Sequence, residues 1–191
     1  LAGALALFVL GIGGGAYWML GEPALALRSL EDSKTRDLNG LIGLLAARVR
    51  QTPDSLTGWT LLGRGYLTAG DPQDAAKAFA RAIALHPSSA LYSAYGEALV
   101  EESSGAVNEE AQAAFKSALA ADPKDAAARY YLGLAAAARG QSDEARALWQ
   151  GLLADLPAAS PLRPVLVDRI AMLASRSGET PDIAAMVEGL A

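Results

Sequence analysis

Cysteine is absent from all 191 residues, which removes thiol redox chemistry, thiolate metal sites and disulfide staples together. Histidine is nearly absent: only His86 is present, directly before Pro87. A lone imidazole with no second histidine beside it lacks a metal-ligand set, and a place at a helix end accounts for it. A basic excess is missing as well. The net charge is −5 and the isoelectric point about 4.9, whereas nucleic-acid binders carry surplus Lys and Arg to neutralise phosphate. No nucleophile with its base, phosphate-cradling loop or carboxylate pair stands out. Glu101, Glu102, Glu109 and Glu110 sit in or beside a turn and lack the ordered spacing of a calcium loop. The expectation is a protein that is not an enzyme, uses no cofactor or metal and does not bind nucleic acid.

Aromatic residues make up only 6% and charged residues 19% of the chain, yet 52% is hydrophobic, drawn largely from Ala and Leu. Both are strong helix formers, while the β-branched and aromatic residues that favour strands are sparse. The fold class expected is all-α.

From Leu1 to Gly21 no residue is charged. About 20 helical residues at a rise near 1.5 Å cross a hydrocarbon core of roughly 30 Å, and Tyr17 and Trp18 stand where an interfacial aromatic belt belongs. Residues 1–21 therefore read as one transmembrane helix, closed by Glu22 and Pro23, with residues 22–36 as a linker. A signal peptide would have a shorter apolar region behind a basic start. Gly11, Gly13 and Ala16 also fit a dinucleotide-binding spacing, but such a fingerprint needs a preceding strand and a βαβ unit around it. Gly11 and Gly15 suit close approach of another membrane helix instead.

Downstream, Trp59-x-x-Leu62-Gly63-x-x-Tyr66 is followed by Ala75-x-x-x-Phe79, Ala82 and Pro87. This is the pattern of a tetratricopeptide repeat (TPR), a helical hairpin of about 34 residues. A second copy carries Tyr92, Tyr95, Gly96 and Leu99, then Ala111, Phe115, Ala118 and Pro123, with a turn about three residues longer over Glu101 to Asn108. The third runs through Leu132, Gly133, Gly140, Ala145, Trp149 and Pro157. Repeats are expected at about 56–87, 89–123 and 126–157, led by a helix over 37–52. That helix has an apolar stripe of Leu38, Leu41, Ile42, Leu45 and Val49, with Asp37 as its N-cap. A further helix is expected over 161–176, and another begins within 180–191. The architecture is a transmembrane helix followed by a right-handed TPR solenoid.

Repeat solenoids bind with the concave face built from the first helix of each hairpin. The TPR positions on that face are Thr60, Arg64, Leu67 and Thr68 in the first repeat, Ser93, Glu97 and Val100 in the second, and Tyr130, Leu134 and Ala137 in the third. Leu67, Val100 and Leu134 have a second reading, as residues that simply complete the core. The lining is small, partly apolar and lightly charged, which suits an amphipathic helix docked by apolar anchors. It does not suit the basic carboxylate clamp of co-chaperone TPR domains, since only Arg64 could contribute and Glu97 opposes it.

The order of parts narrows the reading. An apolar span ends in Tyr17-Trp18, Gly21 to Pro23 forms a Gly-x-Pro step, and a helix over Leu38 to Val49 runs into Pro53-Asp54 and Gly58-Trp59. Arg129-Tyr130-Tyr131-Leu132-Gly133-Leu134-Ala135, Ala147-Leu148-Trp149, Leu152-Leu153, Arg163-Pro164 and Ile170-Ala171 continue it. Nearly the whole chain resembles the C-terminal part of the cytochrome c biogenesis family called CcmI or CycH. The resemblance implies a bacterial inner-membrane protein with its TPR domain in the periplasm. There it would act as an apocytochrome c chaperone, holding the client's C-terminal helix for the haem-ligation components. The alternative is a membrane-anchored TPR scaffold for envelope assembly (pilus, secretion or cell wall).

Overall fold

The computed structural model describes residues 23–177, and their side chains over 35–175. The span expected over 1–21 and the helix start expected within 180–191 lie outside the described residues. Among the described residues no helix is long and apolar enough to cross a membrane, and all regular structure is helical.

Among the described residues eight helices follow one another: α1 (Pro23–Gln51), α2 (Leu56–Thr68), α3 (Pro72–Leu85), α4 (Ser89–Glu102), α5 (Glu109–Ala121), α6 (Ala126–Ala138), α7 (Ser142–Asp155) and α8 (Leu162–Ser177). The chain divides into two units after Leu44. The described part of the first is the front of α1, where Leu41 and Leu44 are exposed. Two readings change here. Residues 23–36, expected within a linker over 22–36, are helical, and Asp37 lies inside α1 rather than capping it. The physical reason is that Pro23 takes the first helical position, which its fixed φ suits. No Gly or Pro interrupts the next sixteen residues, so nothing breaks the helix before Asp37.

From Leu45 onward the helices form antiparallel hairpins, α2 with α3, α4 with α5 and α6 with α7, each second helix then packing on the next hairpin and α7 on α8. Their starts are fixed by side-chain caps. Ser55, Asp71, Ser88, Asn108 and Asp125 accept from the backbone N–H three residues on, each contributing about 0.5–2 kcal/mol. The first helix of each hairpin ends in a Schellman turn. The N–H of Asp71 donates to the Tyr66 carbonyl and that of Gln141 to Ala136, around Gly70 (φ 75) and Gly140 (φ 77). In the second hairpin the turn is six residues long, from Ser103 to Asn108, yet the motif persists: the Gly105 N–H donates to the Val100 carbonyl. Ser104 there takes the left-handed conformation at φ 54. The second helices stop differently. His86, Asp122 and Leu156 are extended, as the residue before a proline must be, because the proline ring disfavours the α-region there.

Each hairpin closes on one aromatic ring. Phe79, Phe115 and Trp149, all buried, lie against Gly63, Gly96 and Gly133 on the facing helices. A Cβ at any of these glycines would fall within 2.7 Å of the ring. The buried Phe79 and Phe115 centre one cluster and Trp149, Leu152, Leu166 and Ile170 another, so the core of the described solenoid lies in two clusters built from contacts between neighbouring helices.

Candidate functional site

The face made by α2, α4 and α6 contains the ten residues selected by repeat position, and the structure gives them different roles. On α2 the Thr60 hydroxyl donates to the Leu56 carbonyl and the Thr68 hydroxyl to the Arg64 carbonyl, each at 2.9 Å. Both hydroxyls are thus engaged by their own helix. Arg64 and Thr68 are exposed, and Leu67 is half-buried against the first core cluster.

On α4 two assignments are corrected. Val100 is only 5% exposed and belongs to the first core cluster, because its position turns inward where the helix meets its hairpin partner. Ser93 is 6% exposed, and its hydroxyl donates to the Asp125 carboxylate at 2.7 Å. Asp125 also receives the Ser89 hydroxyl and caps α6 by accepting from the Ala128 N–H at 2.9 Å. Ser93 therefore joins α4 to α6 and does not face an incoming ligand. Glu97 stays half-buried on this face. Burial, then the nearby carboxylates Asp125 and Glu101, push its carboxyl above the ordinary range. Burial and then a hydrogen bond to Glu110 push the Tyr95 phenol up to about 12.

On α6 the three selected residues come together. Tyr130, Leu134 and Ala137 are half-buried against the second core cluster. Leu134 lies between two open cavities. One, about 380 Å³, is bounded by the long turn of the second repeat through Gly105 and Val107, and by Gln112 and Arg139. The other, about 210 Å³, is bounded by Ala137, Trp149, Arg169 and Met172. A leucine between two hollows can seat side chains of a docked helix on both of its flanks.

Repeat position alone misses the contributions of α8 and of the long turn. Met172 is 63% exposed, and the Arg169 guanidinium lies over the Tyr130 ring at 5.5 Å and the Trp149 ring at 5.8 Å. The sequence signalled only a further helix after Pro157, and that helix sets a half-buried Arg169 and an exposed Met172 beside Ala137 and Trp149. Arg163 anchors this helix, donating to the Leu153 and Leu156 carbonyls at 3.0 and 2.8 Å, where α7 leaves its last carbonyls without helical partners. Among the described residues no group of His, Cys, Asp and Glu is arranged to hold a metal ion.

A family model described as the cytochrome c-type biogenesis protein H TPR domain matches residues 19–163. The cytochrome c-type biogenesis protein CycH of Rhizobium meliloti is 36% identical over 156 residues, covering 81% of this chain and 41% of that protein. CycH of Bradyrhizobium diazoefficiens is 33% identical over 160 residues, covering 80% and 43%. The chain thus spans about two fifths of the length of these curated relatives. Among solved structures, MamA is similar with a TM-score of 0.66 at 20% identity, covering 83% of this chain and 89% of that one. YrrB, described as a TPR protein with an unusual peptide-binding site, gives 0.62 at 16% identity, covering 82% and 77%. At such identities these structures share the fold.

Proposed function

The chain belongs to the cytochrome c-type biogenesis protein H (CycH) TPR-domain family, and we propose that its repeats hold apocytochrome c by its C-terminal helix for delivery to the haem-ligation components. The observation that carries this reading is Leu134 between its two cavities on α6, a half-buried apolar anchor with room for a helix's side chains on both flanks. In this reading the repeats work in the periplasm of a bacterium, tethered to the inner membrane through residues 1–21. A chain without cysteine suits this task, because it holds a client's haem-attachment thiols without exchanging disulfides with them.

Ordering an unfolded segment on docking forfeits about 2–5 kcal/mol of the gross interaction energy, so an affinity near micromolar, about −8 kcal/mol, is expected. Release follows from differential affinity. Once haem-loaded cytochrome folds, its C-terminal helix buries the same apolar face in its own core, and the groove loses its partner.

The test is a calorimetric titration of the purified chain with apocytochrome c, holocytochrome c and the cytochrome's isolated C-terminal peptide. Apo protein and peptide should bind alike, and holo protein at least tenfold more weakly. Equal binding of apo and holo forms, or none, overturns the reading.

A further inference from the structure

Arg169 is the charged side chain of the smaller cavity beside Leu134, and none of the ion pairs among the described residues includes it. Its guanidinium is held over two aromatic rings, and its Nε is buried without a hydrogen-bond partner. A cation held near ring faces is attracted by their π-electrons, and with Nε buried the terminal Nη groups are the donors left for a planar acceptor. The other walls of the cavity are Leu134, Ala137, Ala138, Trp149, Met172 and Leu173, so an anion brought here would be screened less than at an open surface. Arg64, by contrast, is exposed and makes no such ring contact among the described residues.

We propose that Arg169 is a carboxylate-recognising position, pairing with a carboxylate of the docked helix while an apolar side chain beside it sits against Leu134 and Met172. This rests on the reading of the α6 face as the client groove. The terminal fork of an arginine matches a carboxylate's two oxygens, and a C-terminal helix offers two sources of that group. One is the chain-terminal carboxylate. The other is an Asp or Glu side chain one helical turn from the apolar anchor.

The experiment titrates the full chain with three synthetic forms of the cytochrome C-terminal peptide: the free acid, the C-terminal amide, and the amide with its Asp and Glu changed to Asn and Gln. At least a tenfold loss of affinity is expected on removing one carboxylate source, and which step loses it identifies the source. In Arg169→Met all three peptides should bind equally, at the level of the weakest, with the helical circular dichroism unchanged. Arg64→Met should keep the wild-type discrimination. If Arg169→Met does not fold, Arg169→Lys, which keeps the charge and loses the planar fork, should narrow the discrimination severalfold. Equal binding of all three peptides to the wild type overturns the proposal and leaves the groove reading standing. So does discrimination that survives at wild-type strength in the folded Arg169 variant. Failure of every peptide to bind the wild type overturns both.

Discussion

The indole N–H of Trp149 on α7 donates to the Tyr130 backbone carbonyl on α6 at 3.1 Å, so the residue that fills the third hairpin's core also fixes the α6 backbone at Tyr130. The approach depends on Gly133, where a Cβ would fall 2.2 Å from the indole nitrogen. A rigid ring between two helices has no free end to swing aside, so the helices themselves must part. Gly133→Ala should therefore destabilise the fold by about 1–3 kcal/mol, and Trp149→Phe by about 2 kcal/mol from the lost hydrogen bond and volume. Urea unfolding followed by circular dichroism measures both. A Gly133→Ala protein as stable as the wild type would mean that the hairpin does not depend on this contact.

Leu134 and Val100 were selected by the same rule and should respond oppositely. Leu134→Asp places a charge at a half-exposed site between two cavities, and should weaken client binding by tenfold or more while leaving a folded protein. Val100→Ala opens space in the first core cluster, and should cost about 2 kcal/mol of stability with client affinity nearly unchanged. Binding titrations paired with unfolding curves separate the two effects. Equal losses of affinity in both variants would place the binding surface elsewhere.

Ser104 occupies a position that glycine holds in the other two Schellman turns, at φ 54. A side chain there costs roughly 1 kcal/mol. Ser104→Gly removes that strain but gives freedom back to the unfolded chain, so a net gain of about 0.5 kcal/mol is expected. A rise of about 1–2 °C in melting temperature would register it, and a fall would show that the serine has a compensating role.

Much of the solenoid was legible because TPR packing is written in residue size. Gly63, Gly96 and Gly133, spaced by roughly one repeat, and the rings opposite them announce close helix crossings before any coordinates. The prolines after His86, Asp122 and Leu156 announce the ends of the second helices in the same way. The start of α1 was less legible, because a helix extends as far as nothing stops it, and Asp37 carries a capping side chain without a break before it. The face was legible only as a set of positions. Whether a first-helix residue is free depends on partners distant in sequence: Ser93 is taken up by Asp125, thirty-two residues later. Arg169 belongs to a helix whose repeat pattern is too weak to name its position.

Glu97 gives the fold a pH dependence whose sign can be worked out. Its carboxyl is held above the ordinary value of 4.5, first by burial and then by Asp125 and Glu101. The folded state therefore binds this proton more tightly than the unfolded chain. The linked stability is fully present below about 4.5 and is lost as pH rises through the raised folded value. Glu97→Gln removes the charge that burial opposes, so it should be more stable than the wild type at pH 7, with the difference shrinking to nothing as pH falls below 4.5. Denaturant unfolding from pH 4 to 8 tests this, and a variant less stable at pH 7 would reverse the assignment.

The bonds that Ser89 and Ser93 make to Asp125 join the front of α4 to the front of α6, one hairpin to the next. Where neighbouring repeats meet only through apolar contacts, their spacing can adjust by small slips of one surface over the other. Here three polar groups have their directions fixed, and a slip would strand a carboxylate away from its donors. This stretch of the face is thus a fixed bearing, and any adjustment of the solenoid must come from the segments on either side of it: α2 toward one end, α8 and the long second turn toward the other.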